Sequence, residues 1–317
     1  MDAKITKARL NEHISYDWMK YVALLAGIIF LLSLIFTMAS RGLTKGEQMD
    51  LYFVGNTFYS TYLNQLSEDL AGSRDEGGPY LSDKVLEVYA QSFNLDDSNY
   101  QQVFSTRLAA GEGDVFFSSY YYVTSYIDRG STTSFMYCLG DLLGEIANYQ
   151  TSGNEYDLPA DLRQVDPNDP ESLGLFQSYV GRTFSEEELP GAVEEENARR
   201  TRYVENLVWL NDWLTQNPAY AFRYARGTVY NQYLEESGSE EEPMEVEEEK
   251  IWGISMEPMM AELRARFLAL PEDADEEEDE RVYQFAAAVI DFSSMNAPYF
   301  YEAFGVLRYL IDYFQAD

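Results

Sequence analysis

The chain has 317 residues, with 22 Lys+Arg against 55 Asp+Glu for a net charge of −33, and it holds one His and one Cys. A single imidazole and a single thiol exclude an internal disulfide framework and a multi-ligand structural zinc site, and this charge disfavours nucleic acid, whose phosphates are bound through Lys and Arg. The 46% hydrophobic and 15% aromatic fractions are those of a folding chain, long enough for one large domain or two smaller ones.

Residues 1–20 read as a cytoplasmic tail. They are followed by YVALLAGIIFLLSLIFTMA, Tyr21 to Ala39, which carries no charge. At about 1.5 Å rise per residue this run crosses the roughly 30 Å hydrocarbon core, so the lipid bilayer is the first expected partner, held through residues 21–39. Lys4, Lys7, Arg9 and Lys20 precede the span, whereas only Arg41 and Lys45 follow closely. The positive-inside tendency therefore predicts a single-pass cell-membrane protein with its N-terminus in the cytoplasm. The run exceeds the roughly 7–15-residue core of a cleaved signal, and no Cys follows it for acylation, although Ala39-Ser40 imitates a cleavage site.

Residues 40–48 read as a short tether and 49–317 as the extracytoplasmic domain, which carries nearly all the acidity. The lone histidine, His13, lies before the span, so histidine-dependent catalysis outside is excluded. G-x-S-x-G, S-x-x-K, P-loop and H-E-x-x-H motifs are absent. No enzyme activity, cofactor or defined metal site is expected. A carboxylate-pair glycosidase is the one enzymatic alternative that the abundance of Asp and Glu leaves open.

Within the domain, residues 49 to 55 have strand composition, and Tyr59, Tyr62, Leu63, Leu66 and Leu70 then recur at helical spacing up to a stop at Gly72. Residues 84 to 93 predict a second strand. A helix through Val103, Leu108 and Ala109 follows, capped among Asp96, Asp97 and Ser98 and broken at Gly111 and Gly113. DVFFSS, 114 to 119, returns as a strand. Strand, helix, glycine stop, strand is a βαβ grammar and predicts parallel pairing. A turn and a brief helical piece are expected through LGDLLGE.

LAAGEGDVFFSSYYYVTSYIDRG with LGDLLGE, then KIWGISMEP, then ERVYQFAAAVIDFSSMNAPYFYEAFGVLRYL resemble the corresponding segments of bacterial extracytoplasmic solute-binding proteins, the last as their closing helices. The resemblance covers about a third of the chain. It implies the type II periplasmic-binding-protein fold, two α/β lobes with a ligand cleft between them. Usual members run to around 400 residues or more, whereas 277 follow residue 40 here. The expected class is therefore α/β and periplasmic-binding-protein-like, with a parallel-rich sheet, many helices and a reduced second lobe, behind one N-terminal membrane helix.

Residues 151 to 174 read as an extended connection, and 187 to 218 contain the strongest amphipathic helix, with an apolar stripe of Val204, Leu207, Val208, Leu210, Trp213 and Leu214 assigned to core packing. The acid runs at about 235–250 and 272–280 read as mobile loops without the spacing of a calcium loop. Cys138 reads as a buried small hydrophobe.

Open parallel sheets collect ligands beyond the carboxyl ends of their strands. That rule nominates Asn56 and Thr57 after the first strand and Ser118, Ser119 and Tyr120 after DVFFSS, with Trp252 beside Gly253 as a further candidate. Hydroxyl, amide and aromatic groups together suit an uncharged polar ligand such as a sugar. The leading expectation is a tethered solute receptor serving a transporter or sensor, and the alternative is a non-enzymatic envelope scaffold or partner-binding module derived from a solute-binding fold. The first implies a membrane permease as partner, the second an envelope protein.

Overall fold

The computed structural model describes residues 47–55, 58–75, 77–95, 97–128, 134–239, 242–268, 284–291 and 300–315, together with Val22 and Ile28. The chain divides into two compact units, Met1–Thr44 and Lys45–Asp317. Apart from Val22 and Ile28, both helical, the expected membrane segment lies outside the described residues, as does the acid run at 272–280. Among the described residues no helix is long and apolar enough to cross a membrane.

The second unit is an α/β domain. In chain order it runs β1 (Gln48–Val54), α1 (Ser60–Asp75), β2 (Glu87–Phe93), α2 (Ser98–Ala109), β3 (Val115–Ser119), α3 (Tyr120–Asp128), α4 (Leu139–Ser152), α5 (Pro170–Val180), α6 (Leu189–Gln216), β4 (Ala221–Tyr224), α7 (Thr228–Ser237), β5 (Lys250–Ser255), α8 (Met260–Arg266), β6 (Phe285–Val289) and α9 (Glu302–Gln315). All six strands join one sheet in the order β2-β1-β3-β6-β5-β4. β1 pairs in parallel with β2 and β3, as the βαβ grammar predicts, while β6 is antiparallel to both β3 and β5, and β4 is antiparallel to β5. The mixed sheet is thus parallel on one side only, and the described residues build one sheet rather than the two of a complete two-lobed receptor.

Both faces of the sheet are covered, and side chains alternate between them with the period of a strand. Leu51, Phe53, Val115, Phe117, Ala287 and Val289 enter the larger core beneath α1, α4, α6, α8 and α9. Tyr52, Val54, Phe116, Ala286 and Ala288 enter the smaller core beneath α2 and α3. Asp97 caps α2 by accepting the Asn99 N–H at 2.8 Å, and Gly111 and Gly113 end the unit with φ of 70° and 102°.

Several expectations are corrected. FAAAV, read as part of a closing helix, is the inner strand β6. Its alanines are poor strand formers, but all five residues are buried between β3 and β5 with a core on either face, and tertiary context overrides propensity. The segment after β3, read as a turn, is helix α3, because Val123, Tyr126 and Ile127 fall on one buried face. Gly72 lies inside α1, which continues to Asp75. Part of the expected extended connection is α5, started by Asp169 and Pro170. Residues 221–224, to which no element is assigned from the sequence, form strand β4.

Candidate functional site

β1, β2, β3 and β5 share one direction, so their carboxyl ends, Val54, Phe93, Ser119 and Ser255, meet along one edge of the sheet. The Gly55 N–H donates to the Phe93 carbonyl at 2.9 Å, and the Tyr120 and Met256 N–H groups donate to Gln284 and Phe285 carbonyls at 2.7 and 2.8 Å. Gly55 adopts φ 98°, and a Cβ there would stand 2.5 Å from the Tyr122 ring, so the turn after β1 requires glycine twice over.

Of the sequence-predicted residues, Asn56 and Thr57 lie outside the described residues. Ser118, Ser119 and Tyr120 are brought together at the edge, as expected. Ser118 is fully buried and its hydroxyl donates to the Val54 carbonyl at 2.5 Å, tying β3 to β1. The Tyr120 hydroxyl meets the Ser255 hydroxyl at 2.5 Å, while its ring lies 4.7 Å from that of Phe222. Burial pushes the Tyr120 phenol above its ordinary range, with the Ser255 hydrogen bond opposing it. The Ser119 hydroxyl is buried with no hydrogen-bond partner among the described residues.

Trp252 sits in the smaller core, 4% exposed, its indole N–H donated to the Tyr224 carbonyl at 3.0 Å. Its neighbour Gly253 does mark a close backbone approach, but the approaching backbone is β6: a Cβ would stand 2.1 Å from the Ala287 oxygen.

Sequence reasoning missed Ser255, although it ends β5 and the strand-end rule that nominated Ser119 applies to it equally. It read Tyr59 and Tyr62 at the same helical spacing as the leucines that follow them. Leu63, Leu66 and Leu70 are buried, but the two tyrosines are 48% and 37% exposed at the start of α1. Phe58 bridges Leu268, and the Tyr59 N–H donates to the Phe267 carbonyl at 3.0 Å, which fixes this end of α1 beside the sheet edge. Tyr121 is 44% exposed at the start of α3, its ring 5.2 Å from that of Tyr122. The edge is therefore flanked by exposed tyrosines on both layers.

The thiol of Cys138 is pushed up to about 11, first by burial, and contacts the Ile251 carbonyl at 3.8 Å. Such a thiol is protonated at neutral pH and a poor nucleophile. Among the described residues no group of three or more His, Cys, Asp or Glu is placed to hold a metal ion. No family model, curated protein or solved structure matches the chain.

Proposed function

We propose that the chain is a membrane-anchored, extracytoplasmic, non-enzymatic partner-binding module, built on a single lobe that resembles those of solute-binding proteins. The anchor and its orientation rest on the apolar run at 21–39 and its basic flank. The observation that carries the reading is at the carboxyl edge. The polar groups of Ser118, Tyr120 and Trp252 are spent on neighbours, while Tyr59, Tyr62 and Tyr121 stand exposed around the same edge. Tyrosine suits such a surface because it offers a large, rigid contact with a polar tip and loses little conformational entropy. The partner expected there is another envelope protein, a permease or sensor among them, with a neutral or basic face toward this acidic body.

A photo-crosslinking side chain at Tyr121 or Tyr59, introduced into the full-length chain in its native membrane, tests this. One discrete adduct, lost on Tyr62→Ala, is the expected result, and its absence from both positions counts against the module. Protease added to intact cells is expected to digest the body beyond residue 40.

A second reading, a receptor for an uncharged polar ligand such as a sugar at this edge, is favoured by the Ser119 hydroxyl, which has no partner among the described residues. It predicts a saturable rise in melting temperature with one sugar class, worth about 2.7 kcal/mol at a hundred times the dissociation constant, and loss of that rise in Ser119→Ala.

A further inference from the structure

The apolar stripe of α6 is wider than the core beneath it. Leu207, Leu210 and Leu214 are buried in the larger core, but Val204 and Val208 are only half-buried. With Leu158, Leu162 and Tyr149 they line a half-open cavity of about 430 Å³ between α6, the end of α4 and the connection that follows it. Leu158 and Leu162 are 4% and 1% exposed, so this floor is held from behind by the core.

The rim is acidic. Glu155 and Glu205 stand on it, both exposed, and neither carboxylate has an ion pair or hydrogen bond among the described residues. Of the other polar lining, the Gln164 amide is engaged, donating to the Thr201 hydroxyl at 3.2 Å. The nearby Arg163 is occupied as well. It donates to the Leu158 and Tyr156 carbonyls, both at 2.9 Å, and its guanidinium lies 5.2 Å over the Tyr156 ring.

We propose that this cavity is a binding site for an organic ammonium ion with an apolar body. The volume lies within the range of small-molecule sites, which pair an apolar lining with a few orienting polar groups. The floor accepts the apolar body, and the two unpaired carboxylates face its charge at the margin of a low-dielectric surface, where attraction exceeds that in bulk water. The field of a chain at −33 concentrates cations and repels anions. The cavity lining shares no residue with the carboxyl edge, and the site stands or falls independently of the function proposed there.

Tryptamine, tryptophol and indole-3-acetate share one apolar body and differ in charge. Their titration onto the full-length chain in phosphatidylcholine nanodiscs, with empty nanodiscs subtracted, is the test. Saturable tryptamine binding is expected at least about 10-fold tighter than that of tryptophol, with indole-3-acetate not binding. The double variant Glu155→Gln/Glu205→Gln, exposed at both positions, is expected to keep the wild-type melting temperature and bring tryptamine down to the level of tryptophol. Val208→Asp adds negative charge while removing floor, so it weakens a cavity binder and tightens a purely electrostatic one. Absence of saturable tryptamine binding, retention of it in the double variant, or tightening in Val208→Asp overturns the proposal.

Discussion

Glu302 shows how far a single carboxyl can be drawn from water in a chain with so many on its surface. It is 1% exposed at the start of α9, accepts the Ser82 N–H at 3.0 Å and the Tyr203 hydroxyl at 2.9 Å, and is also bonded by the Ser82 hydroxyl. Burial pushes it above the ordinary carboxylate value of 4.5, against the pull of these hydrogen bonds and of Arg199. The folded chain then holds a proton at pH values where the unfolded chain has released it. Its contribution to stability is complete below about 4.5 and is lost as the pH rises through the raised value. Glu302→Gln mimics the protonated form. Its melting temperature is expected to exceed that of the wild type at neutral pH, with the difference closing toward zero as the pH falls to about 4. A variant less stable than wild type at neutral pH would mean that the ionised carboxylate is the favoured form.

Two elements depend on groups far away in sequence. Helix α7 begins without a side-chain cap of its own. The buried Asp128 carboxylate supplies one by accepting the Gly227 and Tyr230 N–H groups at 2.8 and 2.9 Å and the Tyr224 hydroxyl at 2.6 Å. Asp128→Ala leaves these donors unmet and is expected to cost about 2–3 kcal/mol, read as a lower urea midpoint. Strands β5 and β6 pack through Gly253, where a Cβ would strike the Ala287 backbone. Gly253→Ala is expected to destabilise by about 3 kcal/mol, whereas Gly144→Ala on the exposed side of α4, with open space around it, gains about 0.5–1 kcal/mol.

This dependence on distant partners also explains what was legible beforehand. Most of the run from β1 to β3 was, because its strand composition, the Asp97 cap and the stop at Gly111 and Gly113 are local signals, whereas Gly72 proved to lie inside α1. β6 was not, since three alanines say nothing about lying between two strands. Nor was the engagement of Tyr120 with Ser255, 135 residues away. The strand-end rule points to the edge at which Ser118, Ser119 and Tyr120 lie, but the state of their hydroxyls depends on neighbours that only the fold supplies.

At the scale of the whole chain, a net −33 with a calculated pI near 4.2 makes self-repulsion a term that every contact must overcome. Few cations sit within the body to offset it. Beyond residue 45 the lysines are Lys84 and Lys250, which pair with Glu195 and Asp141 at 3.0 and 2.9 Å, both at the exposed surface where such pairs contribute little. The acid run before β5 tells the same story. Glu247 reaches Arg226 at 3.0 Å, while Glu242, Glu245, Glu248 and Glu249 are exposed around it.

Repulsion among exposed charges is screened over a Debye length that falls from about 30 Å at 0.01 M to about 8 Å at 0.15 M salt. The melting temperature is therefore expected to rise steeply with sodium chloride up to about 0.15 M and to level off beyond it. Potassium chloride should give the same curve, because screening is blind to cation identity. Replacing Glu248 and Glu249 by glutamine should flatten the rise while raising the low-salt melting temperature, since it removes repulsion and leaves the pair between Glu247 and the buried Arg226 in place. A rise produced by sodium and not by potassium would point instead to a site that binds the ion, and a flat response to both would mean that the carboxylates stand too far apart in the folded chain for their repulsion to count.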